Sequence, residues 1–132
     1  MGHRPRRQRV SIVHERLAEV AVLGDRRRIE QVMVNLIQNA LDAMEGRAGG
    51  VLTLRIEADA SHGRVVVADN GSGLTPEVER ALFTPFATTK DQGLGLGLVI
   101  SRDIARDLGG SLDGGPGRDG GARFVFSLRR AS

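Results

Sequence analysis

The most regular patterning in the chain lies between Asp25 and Met44. Apolar residues recur there at i, i+3, i+4, i+7 and i+8, as Ile29, Val32, Met33, Leu36, Ile37, Ala40, Leu41 and Met44. This spacing predicts a helix with one core-facing stripe held for about four turns. Asp25, just after Gly24, is suited to cap its start, and Gly46 to Gly50 ends it. Upstream, short apolar runs at Val10, Ile12 and Val13 and again at Val20 to Leu23 predict one or two strands. Downstream the period changes to two. Leu52, Leu54 and Ile56 share one side of a strand over Val51 to Ala58, and Ser61-His62-Gly63 makes a turn. Arg64 to Ala68 is a second strand, whose Val65-Val66-Val67 is too apolar for an exposed edge.

The remaining pattern is more broken. Asp69-Asn70-Gly71-Ser72-Gly73 must be a loop. Thr75-Pro76-Glu77 opens a short helix reaching about Phe83, with Thr as cap and Pro in the first turn. Residues 84–97 hold no periodic pattern, and a stretch of this kind is usually functional or disordered. Leu98 to Leu108 reads as a helix with Val99, Ile100, Ile104, Ala105 and Leu108 inward, stopped by Gly109-Gly110. Ser111 to Asp113 and Ala122 to Leu128 pair as a hairpin across glycines. The order of elements predicts an α/β sandwich, one mixed sheet with its helices on one face.

Composition narrows the function more than the fold. The chain has 132 residues and no cysteine, so a disulfide scaffold or a Cys-bound metal is excluded. No apolar run approaches the ~20 residues of a membrane span, which makes an intracellular, water-soluble domain the expectation. Nineteen basic residues stand against sixteen acidic, but Arg4, Arg6, Arg7 and Arg9 lie in a polar lead-in, residues 1–9, expected to be disordered. Aromatics are 3%, all Phe, which argues against a base-stacking platform and so against nucleic-acid binding.

Three segments carry candidate chemistry. Asn35, Asn39 and Asp42 line one side of the long helix with Gln31 and Gln38. Asparagine is a middling helix former, so the stripe is either a solvated face or an oxygen-ligand wall. Mg²⁺ keeps several waters, and one amide carbonyl such as that of Asn39 would suffice to hold it with the phosphates it carries. Asp69 ends a strand and is followed by glycines. It is either an ordinary Asp-Asn-Gly turn or a carboxylate placed to accept from an exocyclic amine. Gly93-Leu94-Gly95-Leu96-Gly97 runs directly into a helix, where free backbone N–H groups favour phosphate. It is not a P-loop, since Leu98 and Val99 stand where Lys and Ser or Thr are needed.

Taken in order, these segments resemble the ATP-binding catalytic domain of sensor histidine kinases, in the superfamily shared with DNA gyrase, Hsp90 and MutL. Asn35 to Ala43 matches the N box and Asp69 to Leu74 the G1 box. Leu82 to Phe86 with Thr88-Thr89-Lys90 matches the F box, and Gly93 to Leu98 the G2 box. The wording around Asn35 and Lys90 is most similar to sensors of nitrogen status and of four-carbon dicarboxylate transport. The resemblance covers residues 10–130, read as one catalytic domain. It implies a Bergerat fold, a two-layer sandwich with a mixed, largely antiparallel sheet of about five strands, three helices on one face and an ATP lid.

The resemblance also implies roles. Asn39 would coordinate Mg²⁺ and act in catalysis, with Asn35 beside it toward the phosphates and Asp42 on the same wall. Asp69 would bond the adenine amino group, with Gly71 and Gly73 shaping that pocket. Phe83 and Phe86 would anchor the lid. Thr88, Thr89, Lys90, Gly93, Leu94, Gly95, Leu96, Gly97 and Leu98 would close over the nucleotide, Lys90 neutralising phosphate charge. The phosphate acceptor would be a histidine on a separate dimerisation domain, and a response regulator would act downstream. His14 is not that acceptor, since it sits in a segment that reads as strand. The chain itself would be monomeric, cytoplasmic and free of membrane contact, its parent protein attached to the inner membrane.

Two departures bear on function. Ala87 replaces a Phe usual in the F box. Asn35 stands where the hydrolysing relatives carry a glutamate base, and an amide cannot take a proton from water. ATP is therefore expected to be held for a histidine rather than hydrolysed. The alternatives are a module that binds nucleotide without transfer and a superfamily ATPase.

Overall fold

The computed structural model describes residues 10–17, 21–46, 48–83, 97–117 and 120–131. Five strands form one sheet in the order β1-β2-β3-β5-β4. They are β1 (Val10–Leu17), β2 (Gly50–Ala58), β3 (His62–Asp69), β4 (Ser111–Pro116) and β5 (Ala122–Arg129). Only β1 and β2 pair in parallel; every other pairing is antiparallel. The chain passes from β1 to β2 through helix α1 (Arg26–Ala43), the crossover that parallel neighbours require. Two further helices are α2 (Pro76–Ala81) and α3 (Gly97–Asp107). Among the described residues no helix is long and apolar enough to cross a membrane.

The sequence explains each boundary. Asp25 caps α1, its Oδ1 accepting from the N–H groups of Arg27 at 2.9 Å and Arg28 at 3.4 Å. A carboxylate here also complements the positive end of the helix dipole. α3 ends in a Schellman motif: Gly109 N–H donates to Arg106 O and Gly110 N–H to Ala105 O. Gly109 takes φ +83°, and a Cβ on Gly110 would lie 2.0 Å from Ser127 O, so both glycines are required.

The core lies between the helices and one face of the sheet. Val32, Leu36, Ala40 and Met44 of the α1 side meet Leu52, Val67, Phe124 and Phe126. Leu98, Ile104 and Ala105 of α3 complete it. Each fully buried leucine here contributes about 2 kcal/mol relative to exposure. β4 fits because Gly114 has no side chain; a Cβ there would lie 2.4 Å from Phe124 Cε1.

Four expectations are corrected. The layer of three helices is two long helices, with α2 a six-residue helix near the β4 edge. α2 ends at Ala81 rather than about Phe83. His62-Gly63 belongs to β3, pairing with Arg129 and Leu128, and the turn sits two residues earlier, starting at Asp59. Asp59 Oδ1 there accepts from Ser61 N–H and His62 N–H, each at 2.8 Å. The Arg64 guanidinium, helped by these two bonds, holds that carboxyl well below the usual range. In α3 the inward stripe is Leu98, Ser101, Ile104 and Ala105, while Ile100 is 41% exposed. His14 lies in β1 opposite Leu54, in a strand as expected.

Candidate functional site

α1 carries its amides on the side that meets α3. Asn39 is 6% exposed, and among the described residues its Nδ2 has no hydrogen-bond partner. A buried polar atom left so is rare in a folded protein and marks a place for water, an ion or a ligand. Asn35, one turn earlier, is engaged. Its Nδ2 donates to Ser101 Oγ at 2.9 Å and Gly97 O at 3.3 Å, and its Oδ1 accepts from Gln31 Nε2 at 3.3 Å. Asp42 is exposed and accepts from Gln38 Nε2 at 2.9 Å.

Asp69 ends β3 and is 7% exposed. Its Oδ1 accepts from Gly71 N–H at 2.8 Å and from Ala122 N–H at 3.3 Å. The carboxylate is thus oriented by its own loop and by the first residue of β5. Asn70 pins the same loop to the start of β2: Val51 N–H donates to its Oδ1 at 2.8 Å, and its Nδ2 donates to Gly49 O at 3.1 Å. Gly71 docks the loop on the end of α1, where a Cβ would lie 2.4 Å from Ala43 O. Ser72 N–H donates to that same carbonyl at 3.2 Å. Gly73 takes φ +80° against Gly121. The N-box helix and the Asp69 loop are therefore one joined unit.

Phe83 follows α2 and is half-buried, with the Arg102 guanidinium 4.2 Å from its ring centroid. Gly97 opens α3. The side chain of Leu98, a residue the resemblance assigns to the nucleotide site, is fully buried in the core at the head of α3. Phe86, Thr88, Thr89, Lys90, Gly93, Leu94, Gly95 and Leu96 lie outside the described residues.

On the opposite face of the sheet is a groove of ≈400 Å³ between Arg55 and Arg123, floored by Val66 and Ala68. It borders Asp69 and Asn70 from behind.

Sequence reasoning missed four supports: Asn70, Ser101, Arg102 and Ala122. Ser101 carried a signal, being the one polar residue in the stripe of Leu98, Ile104 and Ala105. Ala122 carried none, because it contributes only a backbone N–H.

Comparison with known proteins agrees with this geometry. Residues 24–132 match the family described as histidine kinase-, DNA gyrase B- and HSP90-like ATPase. The chain is 45% identical over 109 residues to the C4-dicarboxylate transport sensor protein DctB of Rhizobium meliloti (strain 1021). That match covers 83% of this chain and 17% of DctB, so the chain spans about a sixth of that relative's length. The catalytic domain of histidine kinase ThkA superposes with a TM-score of 0.79 at 34% identity, over 93% of this chain and 82% of that one. ThkA in complex with response regulator protein TrrA gives 0.76 at 31% identity, over 92% of this chain and 34% of that one. By the family match and by these likenesses, the chain belongs to the histidine kinase-, DNA gyrase B- and Hsp90-like ATPase family as a catalytic domain of the sensor histidine kinase type.

Proposed function

We propose that residues 10–130 form a catalytic domain that binds Mg·ATP beside α1, the Asp69 loop and the head of α3. It then passes the γ-phosphate to a histidine of a separate dimerisation domain. Asn39 carries the reading: a buried amide with a polar atom lacking a partner among the described residues calls for a ligand. The donor set fits a magnesium ion held mainly by nucleotide phosphates. Amide oxygen and nitrogen exchange places by a flip of nearly equal shape, so Asn39 can offer its carbonyl as the one protein ligand. Bound there, Mg²⁺ would supply charge neutralisation at the phosphates.

Asp69 selects adenine by accepting from its exocyclic amine, with Oδ1 already fixed by Gly71 and Ala122. Gly73 shapes the pocket rim, Phe83 and Phe86 anchor the lid, and Thr88, Thr89, Lys90 and Gly93 to Gly97 close over the phosphates. Phosphoryl transfer asks mainly for such positioning and neutralisation. An imidazole nitrogen forms the new P–N bond as the bond between the γ-phosphorus and the bridging oxygen breaks, its electrons leaving on ADP. The response-regulator complex of ThkA supports a response regulator as the next acceptor. The working location is the cytoplasmic side of the inner membrane, with this chain monomeric and touching neither lipid nor nucleic acid.

The test is calorimetric titration of Mg·ATP and Mg·GTP into the chain and into Asp69→Asn. Wild type should take ATP over GTP. The variant keeps the side-chain shape and should lose about 1.5–3 kcal/mol of ATP affinity, the worth of a hydrogen bond to a charged group. Equal affinity for the two nucleotides, or none for either, would overturn the reading.

A further inference from the structure

Asn35 donates both of its amide hydrogens to α3. One goes to the Ser101 hydroxyl at 2.9 Å and one to the Gly97 carbonyl at 3.3 Å. An asparagine side chain has two donor hydrogens and no more. What remains to Asn35 is acceptor capacity on Oδ1, already shared with Gln31 at 3.3 Å. A phosphate offers only acceptors at neutral pH. Asn35 as placed has nothing to give one.

Its partners show what it does instead. Gly97 is the first residue of α3 and Ser101 lies one turn on, so a single side chain grips the opening turn of that helix at two heights. Ser101 is fully buried and Asn35 half-buried, so the contact is part-buried. Among the described residues a second polar tie between the helices is at the far end, where Arg28 Nη2 meets Asp107 Oδ2 at 3.0 Å. That pair is 41% and 63% exposed, a class of surface ion pair worth little. The two ties also show that α1 and α3 run antiparallel, with the amide tie at the N-terminus of α3. The free N–H groups of a helix lie in its first turn. A shift of α3 away from α1 therefore moves the groups a phosphate would meet.

We infer that Asn35 and Ser101 form a positioning pair: the Asn35 amide is a tether that sets α3 against α1, and it acts on the phosphates only through α3. This rests on the nucleotide-binding reading above and deepens it. It also assigns a second reason for an amide at position 35. A carboxylate there could accept from the Ser101 hydroxyl, but it would face the Gly97 carbonyl oxygen with no hydrogen to share. The amide supplies the donor.

A double-variant cycle on this 132-residue chain separates a tether from a ligand. Ser101→Ala should weaken Mg·ATP roughly three- to tenfold, the effect of one lost hydrogen bond, and Asn35→Ala, which also removes the bond to the Gly97 carbonyl, at least as much. The double variant should be no weaker than Asn35→Ala alone, because that change already removes the contact that Ser101→Ala breaks. Adenosine, which lacks phosphates, should bind all four proteins equally. If Asn35 were a phosphate ligand, Asn35→Ala alone would weaken binding, or the two losses would multiply; either result overturns the tether. A second reading needs no variant to fold well. In the unliganded wild type, the Asn35 side-chain NH₂ protons should exchange slowly by NMR and keep their shifts when Mg·ATP is added. Fast exchange, or a large shift on adding ATP, would also overturn it. Failure of wild type to bind any nucleotide would count against the proposed function, while the exchange measurement would still judge the tether by itself.

Discussion

A methyl group at position 71 has no room. A Cβ on Gly71 would lie 2.4 Å from Ala43 O and 2.7 Å from the carbon of that carbonyl, so the backbone of α1 or of the loop must move. Gly71 also donates its N–H to Asp69 Oδ1, and any movement disturbs the carboxylate. Gly71→Ala should cost about 1–3 kcal/mol, the usual effect of forcing a methyl into a packed place. It should lower the urea midpoint without changing the slope, and weaken Mg·ATP as well. Gly115→Ala is the control, since a Cβ there meets nothing within 4 Å and its φ is ordinary; it should leave both measurements unchanged. At this scale the sequence was legible where a residue broke the rule of its surroundings. Asn35 and Asn39 stood out as asparagines in mid-helix, and Asn39 is indeed buried with a polar atom unpartnered among the described residues. Leu98, last in the stretch that resembles the G2 box, has its side chain fully buried, as suits a leucine opening an amphipathic helix.

Elements were legible in proportion to the length of their pattern. α1 has a cap, a four-turn stripe and a glycine stop, and the structure starts it at Arg26 as the cap requires. The direction in which α3 faces is legible only in part: Val99 and Ile100 are more apolar than Ser101, yet the serine, on the stripe of Leu98, Ile104 and Ala105, turns inward and meets Asn35. The joint between β2 and β3 was equally silent, because it depends on a side chain reaching backbone nineteen and twenty-one residues earlier. Asn70 takes Val51 N–H on its oxygen and gives its nitrogen to Gly49 O, closing the sheet end on which Asp69 stands. Asn70→Ala removes both bonds and leaves a part-buried N–H without its acceptor, which should cost roughly 1–3 kcal/mol. Hydrogen exchange places the loss: the Val51 amide should lose protection while Ile104 and Ala105 in α3 keep theirs at the lower global stability. If Val51 stays as protected as in wild type, the strand end is held by something other than Asn70.

On the function proposed above, the nucleotide and the group that attacks it lie on different domains, whereas a hydrolase keeps them together. The side chain at position 35 is an amide that cannot take a proton, and its two donors are spent on α3. His14 is in β1, within the parallel pairing to β2, rather than on a helix of its own. The expected behaviour is retention. The chain alone with Mg·ATP should release inorganic phosphate only slowly. When a histidine-bearing helical dimerisation domain is supplied in trans, acid-labile and base-stable phosphate should accumulate on that domain. Asn39→Ala should abolish the labelling by removing the side chain proposed to hold the magnesium ion. Asn35→Glu separates chemistry from position. It restores a base but loses the donor to Gly97, so it should weaken nucleotide binding rather than create a fast ATPase. Sustained phosphate release by the wild-type chain, abolished by Asn39→Ala, would instead place it with the hydrolysing branch. In that case the amide at position 35 would have to be explained by its hold on α3 alone.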